Sequence, residues 1–166
     1  KKRENMIQEE MDSQRMQRGY LLQNMTALLQ GKGKEQNISY VKENFRCGGG
    51  VRYLHICLND LSALDEMSDE EVSELKDRIY GQVSGYLREN EDHLFKDFFV
   101  YEEDYEIGFI YCDYMAKERN LSEEEFMKAL QKTAQGGSEK LPVILLVGKW
   151  VEDIAKVSHS YSSACV

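Results

Sequence analysis

Apolar residues recur along this chain in two rhythms, helical and alternating, and their order predicts the fold. Over residues 1–30 the helical rhythm dominates, with Leu21, Leu22, Met25, Leu28 and Leu29 forming a dense stripe. Steps of four and three link Ile7, Met11, Gln14, Arg18, Leu21, Met25 and Leu28 into a heptad seam whose two polar members lie in the middle. Residues 1–30 are therefore predicted to form one long helix in two halves, closed by a glycine C-cap at Gly31-Lys32-Gly33. Residues 1–19 are too polar to cover a globular core. The seam of Ile7, Met11, Leu21, Met25 and Leu28 is accordingly the candidate dimer seam of a parallel two-stranded linker, the alternative being a monomeric surface helix.

Residues 31–50 read as a polar connector with one apolar patch, Ile38, Tyr40, Val41 and Phe45, ending at Gly48-Gly49-Gly50. Residues 51–166 hold the main domain. Its first strand, 53–58, puts Leu54, Ile56 and Leu58 on one face. Ser68 and Glu71 form a capping box, and Met67 and Val72 a hydrophobic staple, opening a helix that buries Val72, Leu75, Ile79, Val83 and Leu87. Residues 98–112 (FFVYEEDYEIGFIYC) predict two strands joined at Glu102-Glu103-Asp104, with Tyr105, Ile107, Phe109 and Tyr111 alternating onto one face. Ser122 and Glu125, with Leu121 against Phe126, start a second helix that ends near Gly136-Gly137. The near-continuous apolar run 141–147 is expected to be a central strand buried on both faces, and a last helix covers 151–166. The order β-α-β-β-α-β is the split arrangement of ferredoxin-like folds: an α+β domain with an antiparallel-rich sheet, helices on one face and a long helix in front.

Composition narrows the partners. A chain of 166 residues is one domain with an appended helix, and 42 % apolar residues with a single proline give it a real core. Its 21 basic residues against 30 carboxylates leave a net charge of −9, which excludes direct nucleic-acid contact and opposes anionic lipid. Neither an apolar span nor a signal peptide is present in the sequence, and both ends read as cuts from a longer protein. Cys47, Cys57, Cys112 and Cys165 form no C-x-x-C pair and are expected to be reduced thiols, implying a cytoplasmic setting in which the sequons at Asn24, Asn37 and Asn120 stay unmodified.

Candidate chemistry is sparse. Asp69-Glu70-Glu71 and Glu123-Glu124-Glu125 open helices, where negative charge suits the helix dipole. Glu102-Glu103-Asp104 lacks the ligand spacing of a calcium loop, and no G-K-S/T follows the glycine run. His159 and Ser160, adjacent on a helix, point about 100° apart and make no nucleophile–base pair with Asp153. His55 reads as a sheet-packed residue and His93 as part of a polar connector. No catalytic residue, cofactor or metal site is assigned.

A strand ending in Leu58-Asn59-Asp60, a long helix, a hairpin, a helix and an apolar strand resemble the element order of GGDEF domains. His159-Ser160-Tyr161-Ser162-Ser163-Ala164 resembles the S-Y-x-x-A helix of a degenerate branch found in the middle of bacterial AraC-type transcription regulators and response regulators. Leu21-Leu22…Leu28-Leu29-Gln30-Gly31 is similar to the L-L-x-G segment before it. The resemblance puts Glu102-Glu103-Asp104-Tyr105-Glu106 where active diguanylate cyclases carry G-G-D-E-F, and only Asp104 matches. Glutamates there add bulk and charge facing a triphosphate, and Asp60 alone is left as a remnant of a metal-binding aspartate. The resemblance thus implies a non-catalytic signalling and dimerisation module of a two-component or AraC family regulator. Such a homodimer would relay an upstream signal to a C-terminal helix-turn-helix region outside this sequence, which alone would contact DNA. The alternative is a sensor domain holding a nucleotide or metabolite beside the sheet near the hairpin.

Overall fold

The computed structural model describes residues 2–45, 49–87, 100–103 and 106–164. Helix α1 (Lys2–Leu29) runs unbroken. It stops where Gly31 takes the left-handed conformation, φ 72°, and the N–H groups of Gly31 and Lys32 bond back to the Leu28 and Ala27 carbonyls. The segment 31–50 is not the plain connector its polarity predicts, because it holds a second helix, α2 (Glu35–Asn44). Its apolar patch has helical spacing, and Val41 and Phe45 are buried. Asn37 accepts the Lys34 backbone N–H at 2.8 Å and donates to Asn24 Oδ1 at 2.9 Å, tying α2 to α1.

The rest is a mixed α+β fold around one sheet. Strands β1 (Val51–Leu58), β2 (Val100–Glu103), β3 (Glu106–Cys112) and β4 (Val143–Val147) lie in the order β2-β3-β1-β4, every neighbouring pair antiparallel. Helices α3 (Leu61–Asp65) and α4 (Asp69–Leu87) follow β1, and α5 (Tyr114–Lys117) and α6 (Glu123–Gln135) follow β3. A 3-10 turn (Ile154–Lys156) leads into α7 (Val157–Ala164). Ser122 and Glu125 form the full capping box, Ser122 Oγ accepting the Glu125 N–H at 3.1 Å and Glu125 Oε1 the Ser122 N–H at 3.2 Å. Ser68 Oγ accepts the Glu71 N–H at 3.2 Å and donates to Glu71 Oε1 at 3.3 Å, an N-cap whose second bond joins side chains instead of reaching the Ser68 backbone.

Three sequence expectations change here. First, β4 is an edge strand, and β1 is central; the apolar run 141–147 is half exposed toward its end, while β1 is buried almost throughout despite Arg52 and His55. Run length does not distinguish an edge from a centre, because long apolar side chains also cover helix–sheet seams. Second, helices cover both faces. Successive strand residues point to opposite sides: Tyr111 meets Phe126 of α6, ring centroids 5.2 Å apart, while Tyr53 meets Tyr161 of α7 at 4.9 Å. Tyr111 pairs in register with Arg52, the neighbour of Tyr53, so α6 and α7 sit on opposite faces. Third, Glu102 and Glu103 are strand residues paired with Ile107 and Glu106, so the link of the hairpin moves to positions 104 and 105, outside the described residues.

Candidate functional site

Helix α1 divides the expected seam in two. Leu21, Met25 and Leu28 are not free for a partner helix; they are buried in the chain's own core, Met25 with 0 % exposure, against α2 and α7. Ile7 and Met11 lie on the same stripe about four and three turns before Leu21, the first buried residue among those described, and stand 57 % and 45 % exposed. The side chains of Gln14 and Arg18 lie outside those described. A seam of seven positions therefore serves two surfaces, its C-terminal half docking the helix and its N-terminal half left open. Residues 2–19 extend about 27 Å from the docked part at 1.5 Å per residue. A lone helix of that length is marginal in water, where tertiary packing normally supplies helix stability.

Helix α7 meets α1 on the same face of the sheet, with Ser158 beside Gly31. The S-Y-x-x-A residues fasten it there. Ser160 is fully buried and its Oγ accepts the Tyr53 N–H at 2.8 Å, Tyr161 stacks edge-on to Tyr53, and Ala164 is buried. Ser163 Oγ takes the Lys149 N–H and donates to the Ser160 carbonyl, both at 2.8 Å. These serines are structural staples between a helix and strand backbones. Asp153 caps the 3-10 turn through the Ala155 N–H and pairs with Lys42 of α2 at 3.2 Å; both contacts hold its carboxyl below the usual range. His159 faces solvent, so Ser160, His159 and Asp153 make no catalytic group. Ser160→Ala is expected to strand a buried N–H and cost about 1–3 kcal/mol, read as a lower urea midpoint at unchanged slope.

At the C-terminal end of β1, Asp60 accepts the Ala63 N–H at 3.0 Å and the Ser62 hydroxyl at 3.0 Å, so it works as the N-cap of α3. An open groove of about 710 Å³ lies beside it, lined by Asp60, Glu66, Glu71 and Glu74, with Arg78 and Lys140 as its basic groups. That balance is poor for a triphosphate. A second groove of about 580 Å³ lies at the opposite end of the sheet, where Arg52 pairs with Glu123 at 3.0 Å beneath Trp150. Burial pushes the Tyr111 phenol there up to about 12, with Glu123 and Asp113 adding to the effect. The folded state thus resists tyrosinate formation. Its contribution to stability is whole below the unfolded value near 10 and is lost as pH rises from about 10 to about 12. Tyr111→Phe is expected to flatten that alkaline limb in pH-dependent denaturation while leaving the curve near neutral pH little changed.

Cys57 is half-buried and Cys112 buried, while Cys47 and Cys165 lie outside the described residues, as does His93. His55 is buried beside Tyr53, ring centroids 6.0 Å apart, in the sheet-packed place its neighbours predict. Among the described residues no group of three metal-ligating side chains converges, and no helix is long and apolar enough to cross a membrane. No family model, curated protein or solved structure matches the chain. The staple role of Ser160 and Ser163 had one signal in the sequence, the spacing of small residues on the last helix. The groove at Asp60 had none, because its walls come from segments about seventy residues apart.

Proposed function

We propose that this chain is a non-catalytic signalling and dimerisation module with a ferredoxin-like, GGDEF-related architecture, of the kind that sits within AraC-type regulators and response regulators. The observation that carries the reading is helix α1: one unbroken rod whose N-terminal half is exposed and whose C-terminal half is built into the core. A parallel pair of such rods, joined through Ile7 and Met11, would transmit a rotation or slide directly into the domain. The contact of α1 with α7 then supplies the way on, since packed helices that shift together can bias two arrangements. The sheet order and its antiparallel neighbours support the split β-α-β-β-α-β reading. A hairpin tip, residues 102–106, without glycines, and an Asp60 engaged as a helix cap, support a fold without the nucleotide reaction.

Sedimentation of the intact chain and of an Ile7→Glu/Met11→Glu variant tests the module. A dimer is expected for the first and a monomer for the second, with equal melting temperatures because neither side chain touches the core. A monomeric intact chain overturns the proposal. The second reading, a sensor for a small molecule, is favoured by the groove beside Asp60. It predicts a thermal shift with GTP or a cyclic dinucleotide, and silence across a nucleotide panel removes it for that ligand class.

A further inference from the structure

We propose that the outer edge of β4 docks an extended peptide segment, apolar on one face and flanked by carboxylates, which adds to the sheet as a fifth strand. The register decides which backbone groups are open. The Gly148 N–H bonds to the Tyr53 carbonyl at 2.8 Å and the Asn59 N–H to the Pro142 carbonyl at 2.9 Å. Positions 142, 144, 146 and 148 therefore turn toward β1, and Val143, Leu145 and Val147 turn outward. Helix α6 closes the first of these: Gln135 Oε1 accepts the Val143 N–H at 2.8 Å and Gln131 Nε2 donates to the Val143 carbonyl at 3.0 Å. The N–H and C=O groups of Leu145 and Val147 meet no described residue.

Edges of this kind are normally blunted by a charge, a proline or a bulge within the strand. Val143–Val147 (VILLV) has none, and Leu146, Val147 and Trp150 are 37 %, 40 % and 38 % exposed. Open main-chain groups beside exposed apolar side chains are what strand addition uses. Charge selects the occupant. On a chain of net charge −9, residues 140–149 (KLPVILLVGK) carry Lys140 and Lys149 and no carboxylate. A second copy fits poorly, since it would offer the same lysines across a strand of five residues. So short an edge buries much less than the roughly 1,000 Å² of a stable interface. A short acidic-flanked peptide satisfies both constraints.

The test titrates the intact chain with a synthetic peptide of alternating valine and threonine carrying two glutamates at each end, followed by amide NMR and hydrogen exchange. Saturable binding is expected, with exchange at the Leu145 and Val147 amides slowed about tenfold or more, the effect of one added hydrogen bond. A lysine-flanked counterpart should bind several-fold more weakly. Val147→Pro removes only an outward N–H at an edge position that tolerates proline, and should weaken binding about tenfold. The same loss is expected when the unmodified protein meets a peptide N-methylated on its pairing edge, a comparison independent of the variant's folding. Unchanged exchange at the two amides, equal binding of the two flanked peptides, or concentration-dependent self-association that protects those same amides overturns the proposal.

Discussion

Removing residues 1–19 is expected to leave a folded monomer with an unchanged melting temperature, whereas removing residues 1–30 is expected to unfold the domain. The two truncations differ by residues 20–30, about three turns that carry the dense apolar stripe. Leu21, Met25, Leu28 and Leu29 are all buried, and full burial of such side chains stabilises by about 1.5–3 kcal/mol each. Their joint loss, on the order of 6–12 kcal/mol, rivals the roughly 5–15 kcal/mol that holds an ordinary domain together. The shorter truncation removes exposed helix and touches none of the four. Circular dichroism reads the folding and sedimentation the association. A shorter chain that still dimerises would place the interface elsewhere, and a longer truncation that still folds would contradict the packing of α1.

Gly148→Ala is expected to destabilise the domain by about 3–5 kcal/mol, a fall on the order of 10 °C in melting temperature. A Cβ at this position would overlap the Ser160 carbonyl and hydroxyl and lie 2.9 Å from the Tyr53 carbonyl. Two of those atoms are backbone, so no rotamer change relieves the crowding and α7 must move off β1. The Ser160–Tyr53 hydrogen bond would be lost with it. Gly81→Ala supplies the control. That glycine lies in α4 with nothing within 4 Å of the place a Cβ would take, so the substitution should stabilise by up to about 1 kcal/mol through helix propensity. Equal effects of the two substitutions would show that α7 is not seated through Gly148. In the signalling reading, the crowded variant should also loosen the hold between α1 and α7, seen as faster hydrogen exchange in both helices.

Much of the fold was legible where a local signal has a local cause. The N-caps at Ser68 and Ser122 mark helix starts because their hydrogen bonds close within four residues. The Gly31 cap is legible for the same reason. Alternation in Ile107, Phe109 and Tyr111 marks a strand with one face on a helix layer. Helix α2 was missed, since ten residues carry too few apolar positions to stand out among lysines and glutamates. The candidate site was less legible. Ser160 reads from the sequence only as part of a short motif; its bond to Tyr53 spans 107 positions and depends on where β4 stops.

By itself the sequence determined the element types, the long first helix, the acidic charge and the absence of glycines at the hairpin link, because each depends on neighbours within a few residues. Only the tertiary structure decided which half of the seam is spent on the chain's own core, which strand is central and which is an edge, and that helices cover both faces. Those outcomes rest on long-range pairing: an apolar residue reports that it must be buried, and its sequence neighbours do not say against what.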